Sequence, residues 1–170
     1  MSQFILATTM KCIGCHTCEV ACAVVHAGTV AVTSQDYFPR LRVVKQNAVS
    51  TPVMCRQCRN APCVAACPVA ALQQGEQAVE IVSERCIDCK SCMIACPFGA
   101  IEIVSTGGHP QVIKCDLCAG QSSGSACVSV CPTGALTCVT SDELSQLRRQ
   151  RQRQTASGSQ MLFQEEWING

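Results

Sequence analysis

The stretch Cys86-Ile-Asp-Cys89-Lys-Ser-Cys92-Met-Ile-Ala-Cys96-Pro97 decides the reading of this chain. Three cysteines at three-residue intervals wrap a tight loop around one metal centre. The fourth, carried on by a short helical turn and fixed by the following proline, points elsewhere. In a C-x2-C-x2-C-x3-C-P run the first three thiolates hold one iron–sulfur cubane and the last ligates a second. Three related groups surround this one. Cys12, Cys15, Cys18 and Cys22 keep the spacing but have alanine after the fourth cysteine. Cys55, Cys58, Cys63 and Cys67-Pro68 lengthen the middle gap with Asn60-Ala-Pro, and Cys115, Cys118, Cys127 and Cys131-Pro132 lengthen it with Gly120-Gln-Ser-Ser-Gly124.

An internal repeat emerges when the groups are aligned. Cys67-Pro-Val-Ala-Ala-Leu, Cys96-Pro-Phe-Gly-Ala-Ile and Cys131-Pro-Thr-Gly-Ala-Leu are three versions of one turn, each leading toward a short strand: Val79-Glu-Ile-Val, Ile101-Glu-Ile-Val and Leu136-Thr-Cys-Val. Phe4-Ile-Leu-Ala-Thr predicts another strand before the first group. With no proline after Cys22, the helix begun at Cys18 is expected to run through His26, with Val20, Val24 and Ala27 as its apolar face. Between the first two groups, Leu41-Arg-Val-Val-Lys and Ser50-Thr-Pro-Val-Met read as strands and Asp36-Tyr-Phe-Pro as a turn. This insertion either covers a cluster or offers a docking surface. From Ser141, a serine of N-cap type, Asp142-Glu-Leu opens a helix on which Leu144 and Leu147 share a face and Arg148, Arg149, Arg151 and Arg153 make the last turns basic. Thr155-Ala-Ser-Gly-Ser-Gln160 reads as a linker. Met161 to Ile168 is a short amphipathic tail in which Phe163 and Trp167 could act as tethered anchors.

Composition narrows the chemistry. Of the 170 residues 48% are apolar, but 17 are cysteine and six (one Trp, one Tyr, four Phe) are aromatic. The ordinary core is therefore thin, and metals or disulfides must order the loops. A secreted disulfide scaffold wants a signal peptide, whereas Met1-Ser-Gln-Phe-Ile-Leu is expected to lead straight into the first cysteine loop. Structural zinc sites use separated C-x2-C knuckles; cysteine triplets followed by Cys-Pro favour iron–sulfur clusters, with zinc as the rival. Each oxidised cubane with four thiolates adds about −2, so four take the formal +1 to about −7. That argues against a nucleic-acid partner, which needs a basic stripe. No apolar run approaches membrane-spanning length, and no P-loop, GxGxxG or His-Glu-x-x-His motif marks an active site of the chain's own.

The four groups, the lengthened gaps in the second and fourth, the Cys-Pro-x-x-Ala turns, and features such as Lys11-Cys-Ile-Gly-Cys-His-Thr-Cys-Glu and Lys114-Cys-Asp-Leu-Cys resemble the four-cluster ferredoxin-type subunits of molybdopterin oxidoreductases. The similarity is closest to the iron–sulfur subunits of formate dehydrogenase and formate hydrogenlyase, over residues 3 to about 140. It implies a small α+β fold of two pseudo-symmetric, bacterial-ferredoxin-like halves, with short β-hairpins and helices around the clusters. Residues 1–27 with 108–140 would form the first half and 53–107 the second. Residues 28–52 would be an insertion hairpin, and 141–170 a basic helix, linker and docking tail. The resemblance further implies four [4Fe–4S] clusters: Cys12, Cys15, Cys18 and Cys131 on one; Cys115, Cys118, Cys127 and Cys22 on its neighbour; Cys55, Cys58, Cys63 and Cys96 on a third; Cys86, Cys89, Cys92 and Cys67 on the fourth.

The implied function is non-catalytic relay of single electrons between a formate dehydrogenase-like molybdenum or tungsten subunit and an acceptor such as a hydrogenase. The expected location is cytoplasmic, with any membrane association made through partners. A free polyferredoxin shuttle and a zinc scaffold are the alternatives. Cys138 reads as a small core residue and not a ligand, His16 as a surface histidine, and His26 and His109 receive no role. Lys11, Arg56, Arg85, Lys90 and Lys114 sit beside ligands and could tune potentials; for most, a solvated surface charge is the expectation.

Overall fold

The computed structural model describes residues 3–106 and 109–157. In chain order the elements are β1 (Gln3–Ala7), α1 (Thr17–Ala27), β2 (Leu41–Gln46), β3 (Val49–Met54), α2 (Pro62–Ala65), β4 (Leu72–Gln74), β5 (Val79–Ile81), α3 (Ser91–Ala95), β6 (Glu102–Thr106), β7 (His109–Ile113), α4 (Ala126–Ser129), β8 (Leu136–Thr140) and α5 (Ser141–Ala156). Cysteine loops interrupt the chain so often that, apart from α1 and α5, no helix exceeds five residues.

Among the described residues the strands form four antiparallel pairs and no larger sheet: β1–β8, β2–β3, β4–β5 and β6–β7. Two-stranded ribbons are marginal in water unless they pack on something. Here they pack on two small cores. In the first, Ile5, Leu41, Met54 and Leu136 surround Cys18, Cys22, Cys55, Cys115 and Cys127. In the second, Leu72, Val79, Ile101 and Val112 surround Cys63 and Cys92. Each buried aliphatic side chain contributes about 1.5–3 kcal/mol, and there are few of them. The β1–β8 register, from Gln3↔Thr140 to Ala7↔Leu136, closes the chain so that the first and fourth cysteine groups become neighbours. Helix α1 then packs on α4, and α2 on α3.

Several expectations need correction. The strand that follows Cys67-Pro is β4, with Val79 on its antiparallel partner β5; two glutamines in a three-residue strand hide β4 from propensity. Strand β7 contains Pro110, which masks it on the same ground, and it pairs with β6 from Glu102↔Ile113 to Thr106↔His109. In α1 the buried residues are Cys18, Glu19, Cys22 and Ala23, while Val20 is exposed. The thiols, not the aliphatic side chains, set the inward face. Glu19 is buried at no loss because its carboxylate accepts from Val43 N–H at 2.5 Å and Tyr37 OH at 3.3 Å, with His16 Nδ1 at 3.1 Å. The insertion closes its hairpin at Asn47, in the left-handed region, and the turn expected at Asp36 is present, with Asp36 N–H donating to the Thr33 carbonyl at 3.1 Å.

Thr140, not Ser141, caps α5. Its hydroxyl accepts from Glu143 N–H at 3.2 Å, and the Glu143 carboxylate accepts from Thr140 N–H at 2.6 Å, a reciprocal capping box. The helix continues through Thr155 and Ala156, which the sequence assigned to a linker. The arginines from Arg148 to Arg153 are exposed, and Leu144 and Leu147 border a shallow groove with Leu6. The anticipated tail at 161–168 lies outside the described residues. Among the described residues, no helix is long and apolar enough to cross a membrane.

Candidate metal centres

The four loops share one backbone device. The residue before each second cysteine has positive φ: Gly14 at 69°, Gln57 at 49°, Asp88 at 56° and Leu117 at 62°. A left-handed residue at that place turns successive N–H groups toward one point, which makes an anion-binding concavity. For the three non-glycine residues this conformation costs about 1–3 kcal/mol each and persists only where the surroundings over-determine it. At Gly14 there is a second constraint, since a Cβ would lie 2.8 Å from Ser50 Oγ. His16 and Lys90, also left-handed, N-cap α1 and α3.

All 17 cysteines are free thiols, and the fold brings cysteines of different groups together. Cys12, Cys15, Cys18 and Cys131 line one small cavity with Val43, Pro52 and Pro132. Cys22, from the first group, acts electrostatically on Cys115, Cys118 and Cys127 of the fourth. Cys55 is under the influence of Cys58 and Cys96, and Cys63 of Cys55 and Cys96. Cys92 is under the influence of Cys67 and Cys86, and Cys67 of Cys89. Cys18, Cys55, Cys115 and Cys127 lie together in the first core, and Cys63 and Cys92 share the second. Cys138 stands apart, half-buried opposite Ile5 on the β1–β8 ribbon.

Hydrogen-bond donors address the sulfurs. Ala71 N–H donates to Cys67 at 3.2 Å and Ala135 N–H to Cys131 at 3.3 Å, the same i+4 contact in two copies of the Cys-Pro turn. Cys22 has no such turn, and Arg40 N–H of the insertion donates to it at 3.3 Å. The segment between the first two cysteine groups therefore covers the first core: Arg40 supplies that donor, Leu41 and Met54 are buried there, and Val43 and Pro52 line the cavity of Cys12, Cys15, Cys18 and Cys131.

Thiol acidity divides along the same line. Cys15 is lowered first by the Thr17 hydroxyl, 3.3 Å away, and then by Thr17 N–H; the Ser91 hydroxyl and N–H do the same for Cys89. In Cys67 and Cys131 a small burial penalty is outweighed by N–H donors, which leaves both lowered. Burial raises the inner thiols: Cys115 to about 12, Cys18 to about 11 with help from the Glu19 carboxylate, and Cys127 further still. Buried thiols held this way are stable as thiolates only with a compensating cation among them.

Of the five cations beside ligands, Lys11, Arg56, Arg85 and Lys90 are exposed. Arg56 lies over the Phe98 ring at 5.8 Å, and Lys90 pairs with Asp88 at 2.9 Å. Lys114 differs: it is 1% exposed and the largest of the fully buried side chains. His26, given no role above, also has one. Its Nδ1 lies 2.7 Å from the Cys22 carbonyl and 3.6 Å from Cys22 Sγ, its Nε2 lies 3.1 Å from Asp116 Oδ1, and Asp116 also pairs with Arg40. Burial alone would lower His26, but the bonds to Asp116 and Cys22 raise it to about 9. The one local sign of this was the i, i+4 spacing of Cys22 and His26 on a helix; Arg40 and Asp116 arrive only through the fold. His26, Asp116 and Cys118 each offer a donor atom within 4.8 Å of the others. Because His26 and Asp116 already bond each other and Cys118 faces Cys22, the trio supports a thiolate quartet and is not a separate metal site.

Pockets of soft sulfur donors, ringed by N–H groups and aliphatic side chains, fit an iron–sulfur cubane, and they define a protein of the ferredoxin type. A family model for a 4Fe-4S dicluster domain matches residues 46–141, more than half of the 170, and one for a 4Fe-4S binding domain matches residues 9–25. Three similar proteins come from Escherichia coli K12. The putative electron transport protein YsaA is 46% identical over 91% of this chain and 98% of its own length. The electron transport protein HydN is 42% identical over 92% and 98%, and formate hydrogenlyase subunit 2 is 34% identical over 97% of each. The chain belongs to the 4Fe–4S dicluster domain family.

Proposed function

We propose that this chain is an electron-transfer subunit holding four [4Fe–4S] clusters in line and relaying single electrons between two partners. The carrying observation is that two small cores each bury cysteines of different groups together: Cys18, Cys22, Cys55, Cys115 and Cys127 in the first, Cys63 and Cys92 in the second. The ligand sets would be Cys12, Cys15, Cys18 and Cys131; Cys22, Cys115, Cys118 and Cys127; Cys55, Cys58, Cys63 and Cys96; and Cys67, Cys86, Cys89 and Cys92. When bound, each cubane supplies a one-electron couple with little rearrangement. The residues hold each site rigid, keep water from the inner pair, and direct N–H donors at sulfur, which favours the reduced state.

Two ferredoxin-like halves, 1–27 with 108–140 and 53–107, would meet at the first core, which buries Cys55 together with Cys115. Each end presents exposed apolar side chains beside exposed thiols, Met10 and Ile13 near Cys15 and Ile87, Ile94 and Phe98 near Cys89, as a docking contact needs. The similarity to formate hydrogenlyase subunit 2 supports a molybdopterin donor of the formate dehydrogenase type at the Cys12 end and a hydrogenase-like acceptor at the Cys89 end, in the cytoplasm. Similarity to YsaA and HydN, both named as electron transport proteins, supports a second reading, a carrier without a permanent complex.

The test is anaerobic purification with a tag. About sixteen irons per chain and a brown protein whose EPR signals titrate with potential support the relay. Colourless, zinc-loaded protein ends it. Co-purification of a stoichiometric molybdenum subunit favours the complex, and its absence favours the free carrier.

A further inference from the structure

Lys114 is the one cation beside a ligand that the fold takes out of water. Its side chain is 1% exposed, and its ammonium donates to the Cys115 carbonyl at 3.1 Å. That same carbonyl accepts from Gln57 Nε2 at 2.7 Å, while Gln57 Oε1 accepts from Val79 N–H at 3.0 Å. Gln57 sits between Cys55 and Cys58, so its amide ties the loop of one inner quartet to the loop of the other, while Lys114 donates to that same carbonyl from within its own loop and acts electrostatically on Cys55 and Cys63. Among the described residues, no carboxylate forms an ion pair with Lys114, and each ion pair involves other groups.

A buried ammonium with only carbonyl contacts pays a desolvation penalty of several kcal/mol unless negative charge lies close by. The charge at hand is thiolate. Cys115 is the adjacent residue, and Cys55 packs with it in the first core. We infer that Lys114 is the shared counter-ion of the two inner quartets, raising the potentials of both and levelling the step by which an electron crosses from one half to the other. The inference rests on the proposed relay, in which both inner quartets hold clusters. Each transferred electron leaves one inner site and enters the other, so that one site loses a unit of negative charge as its neighbour gains it. A cation between them favours the reduced state of either, whereas one nearer a single site would trap the electron there. The interaction is weakly screened because the group is buried.

Three variants, prepared anaerobically as the full chain, test this by redox-titrated EPR with an iron count on each sample. Lys114→Gln keeps a donor and removes the charge, Lys114→Met removes both, and Lys114→Arg keeps the charge. Cys118→Ser and Cys58→Ser identify the two inner signals. The expected result is full iron content in Lys114→Gln, both inner midpoints moved to lower potential, and the two outer midpoints unmoved. If Lys114→Gln loads poorly, Lys114→Arg decides: inner midpoints near the parent values support the shared counter-ion, and depressed ones overturn it. Unmoved inner midpoints in a fully loaded Lys114→Gln, or a shift in only one of them, also overturn it. Fewer than four clusters in the unaltered chain would instead count against the relay itself, which separates the two failures.

Discussion

The outer and inner quartets are built from the same loop, yet they solve opposite problems. At the outer sites Cys15 and Cys89 are exposed, and a hydroxyl two residues on, Thr17 or Ser91, lowers each thiol. At the inner sites of the proposed relay Cys22, Cys55, Cys63, Cys115, Cys118 and Cys127 are buried, and burial raises the thiols of Cys55, Cys63, Cys115, Cys118 and Cys127. In the proposed relay each outer loop combines one buried, raised thiol, Cys18 or Cys92, with one exposed, lowered thiol, Cys15 or Cys89, that would face a partner. Inner loops depend on iron to make their burial tolerable, and they carry the fixed charges of Lys114 and of the Arg40–Asp116–His26 network. One motif thus yields either a contact site or a core, depending on what surrounds it.

The largest test of this contrast is removal of iron. Chelation under reducing conditions should abolish most of the far-ultraviolet helix and strand signal, because apolar burial alone leaves too small a core. Retention of that signal without iron would mean that the thiols are not the interior. Next, Cys127→Ser should cost more than about 4 kcal/mol, in the range of mutations that remove a metal site, whereas Cys89→Ser should cost less. Thermal melts with iron counts would check this, and equal losses would break the comparison. Brief oxidation followed by alkylation and mass spectrometry should label Cys12, Cys15, Cys86 and Cys89 well before Cys115 and Cys127. Asp116→Ala should cost about 1–2 kcal/mol, kept modest by partial exposure of the network, and should alter one EPR line shape only. Smallest, Thr140→Ala should remove about 1 kcal/mol from α5 and leave iron content and midpoints as they are; a change in either would tie α5 to the centres.

Sequence reading went furthest where geometry is local. The sixteen cysteines in fours, the helix after Cys18, the hairpin strands at Leu41 and Ser50, and the α5 helix all follow from spacing or pattern within a dozen residues. It failed at β4 and β7, where glutamines and Pro110 conceal pairing that only the partner strand reveals. It also misjudged α1, since a rule that turns valines inward has no term for thiols around a metal. Lys114 and Lys90 look alike in sequence, each one residue from a cysteine. One is buried and the other exposed, because one follows β7 into the junction of the two cores and the other caps a short helix at the rim.

By itself the sequence determined the chemistry: soft thiolate ligands, loops of a size to hold iron–sulfur cubanes, and too few apolar side chains for any other interior. Tertiary structure alone decided which thiols face each other, how deep each quartet lies and which cation is shut in with them. A C-x2-C loop is shaped by backbone torsions a few residues apart. The destination of a fourth cysteine and the burial of a lysine depend on strands more than a hundred residues apart closing as β1 on β8, an encounter that no local spacing records.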